Sequence, residues 1–398
     1  MKGMRKATLS AFTGARTPLL CWYGQRGLTG VVLNYCSIVG DLKEAVSDDL
    51  PPFEVVDHLL PLSLPAQIIF YPPDALEPRI GVEDPGDKSI IRANRQRLRD
   101  WLATNIDIQY GKTAVAFDEG PDSVTVHFKD GTSVTGDFLV GADGAHSAIR
   151  RSLLASVGRE DPLQHLPLVM ITGEIRQQTA DMERQMELGH SCYVAGYHQT
   201  GNLFVGLNSV SADGKTGDYY WAVVYPDEAA RERNHWTKEA SKEELSRFAR
   251  DKIAHLHPRF LEIVDKTEVS NMVLPPLTFQ DIELETLPVG RTTLLGDSAH
   301  CMTPFRGEGG INALRDALNL SRIISRVKES GLEEWNKGFA EYQAEMLERG
   351  ARSVRLSRGT GGDAPAATRG PRYGWGRPSG EIPARTISLK DVPLMKPN

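Results

Sequence analysis

The sequence predicts an α/β architecture: a Rossmann-like nucleotide-binding domain, N-terminally incomplete, with an inserted and mostly antiparallel β-sheet domain. Three observations predict it. Residues 137–150 and 291–318 each read as a short apolar strand, a turn built on Gly and Asp, and the start of a helix. Between them lie four strand-like runs, LPLVMITGEI, SCYVAGYH, NLFVGLNSV and YYWAVVYP, with turns at His198–Gly201 and Ala212–Gly217. The order strand, sheet-like insert, strand and long helix then implies a discontinuous domain.

Composition sets the limits. A chain of 398 residues allows two or three domains. A net charge of −6 gives no electrostatic reason to expect a nucleic-acid partner. Cys21, Cys36, Cys192 and Cys301 are widely spaced and form no CxxC pair, which disfavours a zinc site or disulfide framework and suits a reducing compartment. No uncharged apolar run reaches the roughly 18 residues of a membrane span; Gln25 and Arg26 interrupt the nearest candidate, Pro18 to Gly40. The first forty residues are atypical, with Lys2, Arg5, Lys6, Arg16 and Arg26 and no acidic residue before Asp41. That pattern is similar to a mitochondrial transit segment, but the apolar spacing is not that of a clean amphipathic helix. A cytoplasmic location is therefore expected, with a mitochondrial one as the alternative.

In chain order, residues 41–60 read as a short helix ended by Pro51-Pro52, and 66–83 as two strands around a Pro-rich turn. Residues 90–104 read as a helix with Leu98, Trp101 and Leu102 on one face and Arg92, Arg95, Arg97 and Arg99 among them. Residues 105–140 alternate strand and turn, with a hairpin at Lys129–Thr132 and a buried strand at 137–140. Residues 239–265 are helical in pattern, 291–296 form a strand, a long helix begins near Gly310 and another spans about 333–356. The tail, 357–398, is rich in Gly, Pro and Arg and reads as extended or partly disordered. The expected domains are 41–165 with 275–356, the insert 166–274 joined by 60–90, and the two terminal segments, 1–40 and 357–398. No internal repeat is found.

Two motifs carry chemistry. In Asp137–Arg150 a strand ends at Gly141-Ala142-Asp143-Gly144; the glycines allow close approach of a ligand, Asp143 can accept from a sugar hydroxyl or cap the next turn, Ser147 can cap the helix, and Arg150 and Arg151 can offer charge to a pyrophosphate. In Arg291–Leu318, Gly296-Asp297 ends a strand where open α/β sheets bind ligands, and a carboxylate there can accept from a polyol. Pro304 fixes a turn, and Gly307, Gly309 and Gly310 let the main chain lie against a flat ring. The helix from Ile311 buries Leu314, Leu318 and Ile324, and its N-terminal dipole favours negative charge. His300 reads as a residue that orients this loop, and His146 as a turn residue. His255-x-His257 is too little for a zinc site, and no G-x-S-x-G elbow is present.

These two stretches resemble the DG and GD motifs of group A flavoprotein monooxygenases, the p-hydroxybenzoate hydroxylase-like family. GDSAHCMTPFRGEGGINALRDALNL resembles its fungal secondary-metabolism branch, and the likeness covers about residues 41–356. The resemblance implies FAD as cofactor and NAD(P)H and O₂ as co-substrates. It also implies hydroxylation of an aromatic or polyketide-like molecule through a flavin C4a-hydroperoxide. Asp297 of the Gly296-Asp297 turn would bind the ribitol of FAD. Gly307, Gly309, Gly310, Ile311 and Asn312 would offer backbone groups to the pyrimidine edge, and Pro304 would lie near the ring. Asp143 and Gly144 would serve the diphosphate region and NAD(P)H, and Arg95, in Arg95-Gln96-Arg97-Leu98, would reach the FAD phosphates. The inserted sheet would cover the ring, with Tyr193, Tyr197, Tyr219, Tyr220 and Trp221 as candidates for the substrate wall. No catalytic residue and no metal site is assigned, and oligomeric state is not readable.

The family opens with a strand, a G-x-G-x-x-G turn and a helix, and the first ninety residues hold no such unit; Gly24–Gly30 lacks the spacing. The expectation is therefore either an error at the start of the gene or a shortened protein with weak or absent FAD binding. A non-catalytic relative, or a flavin-dependent halogenase or reductase, stands as the alternative function.

Overall fold

The computed structural model describes residues 30–33, 41–42, 50–196, 201–232, 234–327, 331–359 and 380–395. Most of the atypical first forty residues, Tyr197 and the middle of the tail lie outside them.

The nucleotide-binding half is built around a parallel pair, β8 (Leu139–Gly141) and β14 (Thr292–Leu294), in register from Thr292 opposite Leu139. Each strand feeds a helix: α2 (Ala148–Ala155) follows β8, and the short α6 (Asp297–His300) and long α7 (Glu308–Val327) follow β14. The last long helix, α8 (Leu332–Gly359), packs along α7. Their shared core joins Ile149 and Leu153 of α2 to Leu294, Ala313, Leu320, Phe339 and Tyr342. Gly141 is part of this packing: a Cβ there would lie 2.8 Å from both Ile149 and Leu294, so its missing side chain brings helix and strand together rather than admitting a ligand. A three-stranded antiparallel sheet, β5 (Ala114–Glu119), β6 (Val124–Phe128) and β7 (Ser133–Gly136), caps one end. Strand structure begins only at Ala114, not at residue 105.

The predicted helix 90–104 is shorter than expected. Ile91–Asn94 form a strand, β4, antiparallel to β1 (Gly30–Leu33), and α1 runs only over Arg95–Leu102. All four residues of β4 are buried, which strand pairing satisfies and an amphipathic helix would not. Asn94 marks the change, its side chain accepting from the Arg97 amide as an N-cap. Leu98 and Trp101 of α1 pack with Phe53 and Val56 against Leu314 and Leu318 of α7, which holds Arg95 beside the strand ends.

The second half is an eight-stranded sheet. Its order is β13 (Leu277–Asp281), β9 (Gln164–Gln178), β12 (Thr216–Pro226), β11 (Asn202–Val210), β10 (Cys192–Ala195), β2 (Gln67–Tyr71), β3 (Ile80–Glu83) and β15 (Gly380–Glu381). All pairs are antiparallel except β10 with β2. The four strands expected at 167–226 are present, and 66–83, 277–281 and 380–381 extend the same sheet. A helix missed in the sequence, α3 (Thr179–Gly189), joins β9 to β10. With α4 (Lys242–Lys252) and α5 (Pro258–Asp265) it covers one face of the sheet. The end of the tail is packed rather than loose: Ile382 and Leu389 are buried in this same core, and Leu394 bridges to Leu62.

Candidate active site

The site lies where β14 ends, between α7, α1 and the uncovered face of the large sheet. Gly296 turns the chain with φ +65°, ψ −139° and directs Asp297 inward. Asp297 is 5 % exposed, and no described residue donates a hydrogen bond to its carboxylate. Burial pushes its pKa up to about 7, against the pull of His300 and Arg95 and with help from Asp316. The Arg95 charge is thus near enough to act on the Asp297 carboxyl. An orphaned buried carboxylate at a strand end is the group a polyol would satisfy.

Behind this turn lies a buried network. Asp316 of α7 accepts from the Gly296 amide at 2.8 Å, pairs with His300 Nε2 at 2.7 Å and with Arg349 Nη2 at 2.6 Å. His300 is thus an anchor of the loop, and its pKa is raised: burial lowers it, but Asp316 overcomes the effect. Asp316 and Arg349 carry this arrangement and were not singled out from the sequence; their signal was the position of Asp316 one face behind the glycine loop.

Residues Pro304–Arg306 make a 3₁₀ turn that ends at Gly307 in the left-handed region, φ +65° and ψ 12°. Thr303 and Ser357 bond each other and tie the turn to α8. The helix α7 starts at Glu308, earlier than predicted, so Gly309, Gly310 and Ile311 lie in its first turn, where backbone N–H groups have no partner inside the helix. Asn312 sits one turn in. Its side chain donates to the Glu308 carbonyl and Ser353 Oγ and accepts from Arg349 at 2.6 Å, so it braces the turn.

The first motif is arranged differently. Asp143 accepts from Ser147 Oγ and from the amides of Ala148 at 2.7 Å and Ile149 at 3.2 Å, while Ser147 caps α2 through the Arg150 amide. Gly144 holds φ +84°. Arg150 corrects the sequence reading: its fully buried guanidinium pairs with Asp161 and donates to the carbonyls of Ser298 and Ala145, so it has no charge to offer a pyrophosphate. Arg151 donates to the His146 carbonyl.

The substrate wall is also corrected. Tyr193, Tyr219 and Trp221 point to the helix-covered face of the sheet, where Tyr193 donates to Gln185 and Trp221 to Thr267. Tyr197 lies outside the described residues. The other face, turned toward Phe305, carries Leu168, Met170, Phe204, Tyr220, Ala222, Val224 and Phe279. Phe279 and Phe305 stand 5.3 Å apart, linking sheet to glycine loop. Of the four expected aromatics that are described, Tyr220 alone is placed there.

A parallel strand pair, a buried carboxylate at a strand end, a glycine turn feeding a helix N-terminus and a sheet facing that turn are the setting of a nucleotide-cofactor site in an α/β protein. The family follows from comparison with known proteins. Residues 95–357 match the FAD binding domain family. The chain is 40% identical over 328 residues to the FAD-dependent monooxygenase thnD of Trichoderma harzianum, covering 81% of this chain and 80% of that one. Among solved structures it superposes on Klebsiella pneumoniae HpxO complexed with FAD and uric acid with a TM-score of 0.65 at 20% identity, covering 84% and 80% of the two chains. A salicylate hydroxylase substrate complex gives 0.65 at 18%, covering 84% and 80%. The chain belongs to the FAD binding domain family, is an FAD-dependent monooxygenase, and uses FAD as its cofactor. No described helix is long and apolar enough to cross a membrane.

Proposed function

We propose that this monooxygenase hydroxylates a small aromatic, polyketide-like molecule, with NAD(P)H as reductant and O₂ as the oxygen source. The observation that carries the reading is Asp297, a buried carboxylate to which no described residue donates, at the end of a parallel strand and followed by the glycine-rich first turn of α7. The donor set fits FAD. Asp297 would accept from ribitol hydroxyls, and Arg95 would attract the phosphates. The amides of Gly309, Gly310 and Ile311 would meet the pyrimidine edge, where the helix dipole favours negative charge. Pro304 and Gly307 would shape the turn against the ring, and Asp143 with Gly144 would set the neighbouring strand end.

FAD, when bound, supplies hydride acceptance from NAD(P)H and the activation of O₂. The protein supplies placement and dryness: Phe305, Phe279, Met170 and Phe204 form an apolar roof suited to a flat ring and to excluding water. The fold shared with the salicylate hydroxylase substrate complex supports an aromatic substrate.

The test is direct. Protein reconstituted with FAD and desalted should keep the flavin visible bands, and aromatic substrate should stimulate NADPH oxidation with matching oxygen uptake. A folded protein that stays colourless after reconstitution overturns the reading.

A further inference from the structure

The last helix backs the candidate site. Along α8, Glu345, Arg349, Ser353 and Ser357 recur at intervals of four, which sets them in one row on one side of the helix. Each bonds a residue of α7 or of the loop before it. Glu345 accepts from Asn319 at 3.0 Å, Ser353 accepts from Asn312 at 3.1 Å, and Ser357 and Thr303 bond each other. Gly350, beside the row, lets the helix close on His300: a Cβ there would lie 2.7 Å from the imidazole.

Arg349 is the member of the row that reaches both ends of the site. Its Nη2 donates to Asp316 Oδ1 at 2.6 Å and its Nη1 to Asn312 Oδ1 at 2.6 Å. Asp316 also accepts from the Gly296 amide, so the first arm fixes the turn that presents Asp297. Asn312 donates to the Glu308 carbonyl, so the second arm fixes the first turn of α7, which presents Gly309, Gly310 and Ile311. The charge of Arg349 requires neither arm. Glu345, one turn earlier on the same helix, already accepts from Nε at 2.7 Å and from Nη2 at 3.0 Å. A planar fork spans two acceptors at a set separation; a lysine ammonium, a single point of charge, does not.

We propose that Arg349 is a positioning residue that sets the distance between the Asp297 turn and the first turn of α7, and through it how much more tightly the site holds reduced than oxidised FAD. The inference rests on the flavin reading above. In that reading the Asp297 turn holds the ribitol side of the ring and the α7 amides meet its pyrimidine edge. Reduction adds negative charge at that edge, and hydrogen bonds to a charged acceptor are roughly twice as strong as neutral ones. Misaimed amides therefore cost the reduced ring more than the oxidised one.

The test is the midpoint potential of the bound flavin, titrated anaerobically against reference dyes, beside the FAD dissociation constant read by fluorescence. Arg349→Lys keeps the charge and loses the span. It should weaken oxidised FAD a few-fold and reduced FAD about tenfold more than that, so that the potential falls by about 30 mV. Asn312→Ala cuts one arm and leaves the backbone amides in place. It should lower the potential too, and adding it to Arg349→Lys should change little, because both cut the same bond. Glu345→Gln weakens only the solvent-side pair and should leave the potential where it is. The two arm variants are independent readings should one of them fail to fold. A potential unmoved or raised in either folded arm variant, or lowered as far by Glu345→Gln, overturns the positioning role while the flavin reading stands. Failure of the wild type to take up FAD overturns both.

Discussion

Two neighbouring strands end in the same chemistry and use it in opposite ways. β8 leads to Asp143 and β14 to Asp297, each carboxylate at a glycine turn before a helix. Asp143 spends its oxygens on Ser147 and the amides of Ala148 and Ile149, so its turn is locally complete. Asp297 is buried where Asp143 is only half-buried, yet no described residue donates to it. The difference shows where a ligand is required: a buried polar group that the fold leaves unanswered is poised for a partner, and an identical group answered by amides is scaffold.

The comparison can be broken most severely at Asp316, which holds the Asp297 turn from behind. Asp316→Ala strands the buried His300 without its counter-charge, leaves Arg349 with Glu345 as its remaining carboxylate partner, and should cost on the order of 3–5 kcal/mol in urea unfolding, with loss of FAD binding. A variant as stable as wild type would show that the network does not hold the turn.

Next is Asp297→Ala, which should weaken FAD binding by about 1.5–3 kcal/mol, roughly 10- to 100-fold by titration. Asp143→Ala should chiefly lower stability, by about 1–2 kcal/mol, as loss of a helix cap does. If Asp143→Ala weakens FAD more than Asp297→Ala, the contrast between the two turns is reversed.

The third prediction sharpens the contrast through pH. Asp297 is pushed by burial from 3.8 to about 7 in the folded protein. A raised carboxyl favours the protonated folded form, so its stabilisation is complete below about pH 4 and is lost as pH rises toward 7. The FAD-free protein should lose thermal stability over that interval, and Asp297→Asn should flatten the dependence. FAD should release protons on binding between pH 4 and 7, because its hydroxyls stabilise the carboxylate; calorimetry in two buffers of different ionisation enthalpy measures this.

The smallest effect is expected at Gly307. Its φ of +65° is strained for any residue with a Cβ, so Gly307→Ala should cost about 1 kcal/mol, read as a shift in the unfolding midpoint.

Much of the site was legible because it is contiguous. Gly296-Asp297, Pro304 and the glycines before Asn312 lie within seventeen residues, and local turn chemistry carries them. Arg95 was legible as a residue of a helix, although the strand before it was not: Ile91–Asn94 are drawn into pairing by a distant segment, and only the Asn94 cap advertised the boundary. Arg150 reads as an available charge until Asp161 and the Ser298 carbonyl are seen around it.

By itself the sequence determined the two turns and, through their resemblance to a known family, the flavin-binding character, since each turn depends on residues within a few positions of one another; the strand β4 and the helix α3 escaped it. Only the tertiary structure decided which face of the sheet looks at the site. Tyr219, Tyr220 and Trp221 are adjacent in sequence, but side chains alternate along a strand, and which set is turned inward depends on where α3, α4 and α5 settle. For the same reason, no spacing in the chain foretold that Arg92 and Tyr220, 128 positions apart, would share a hydrogen bond.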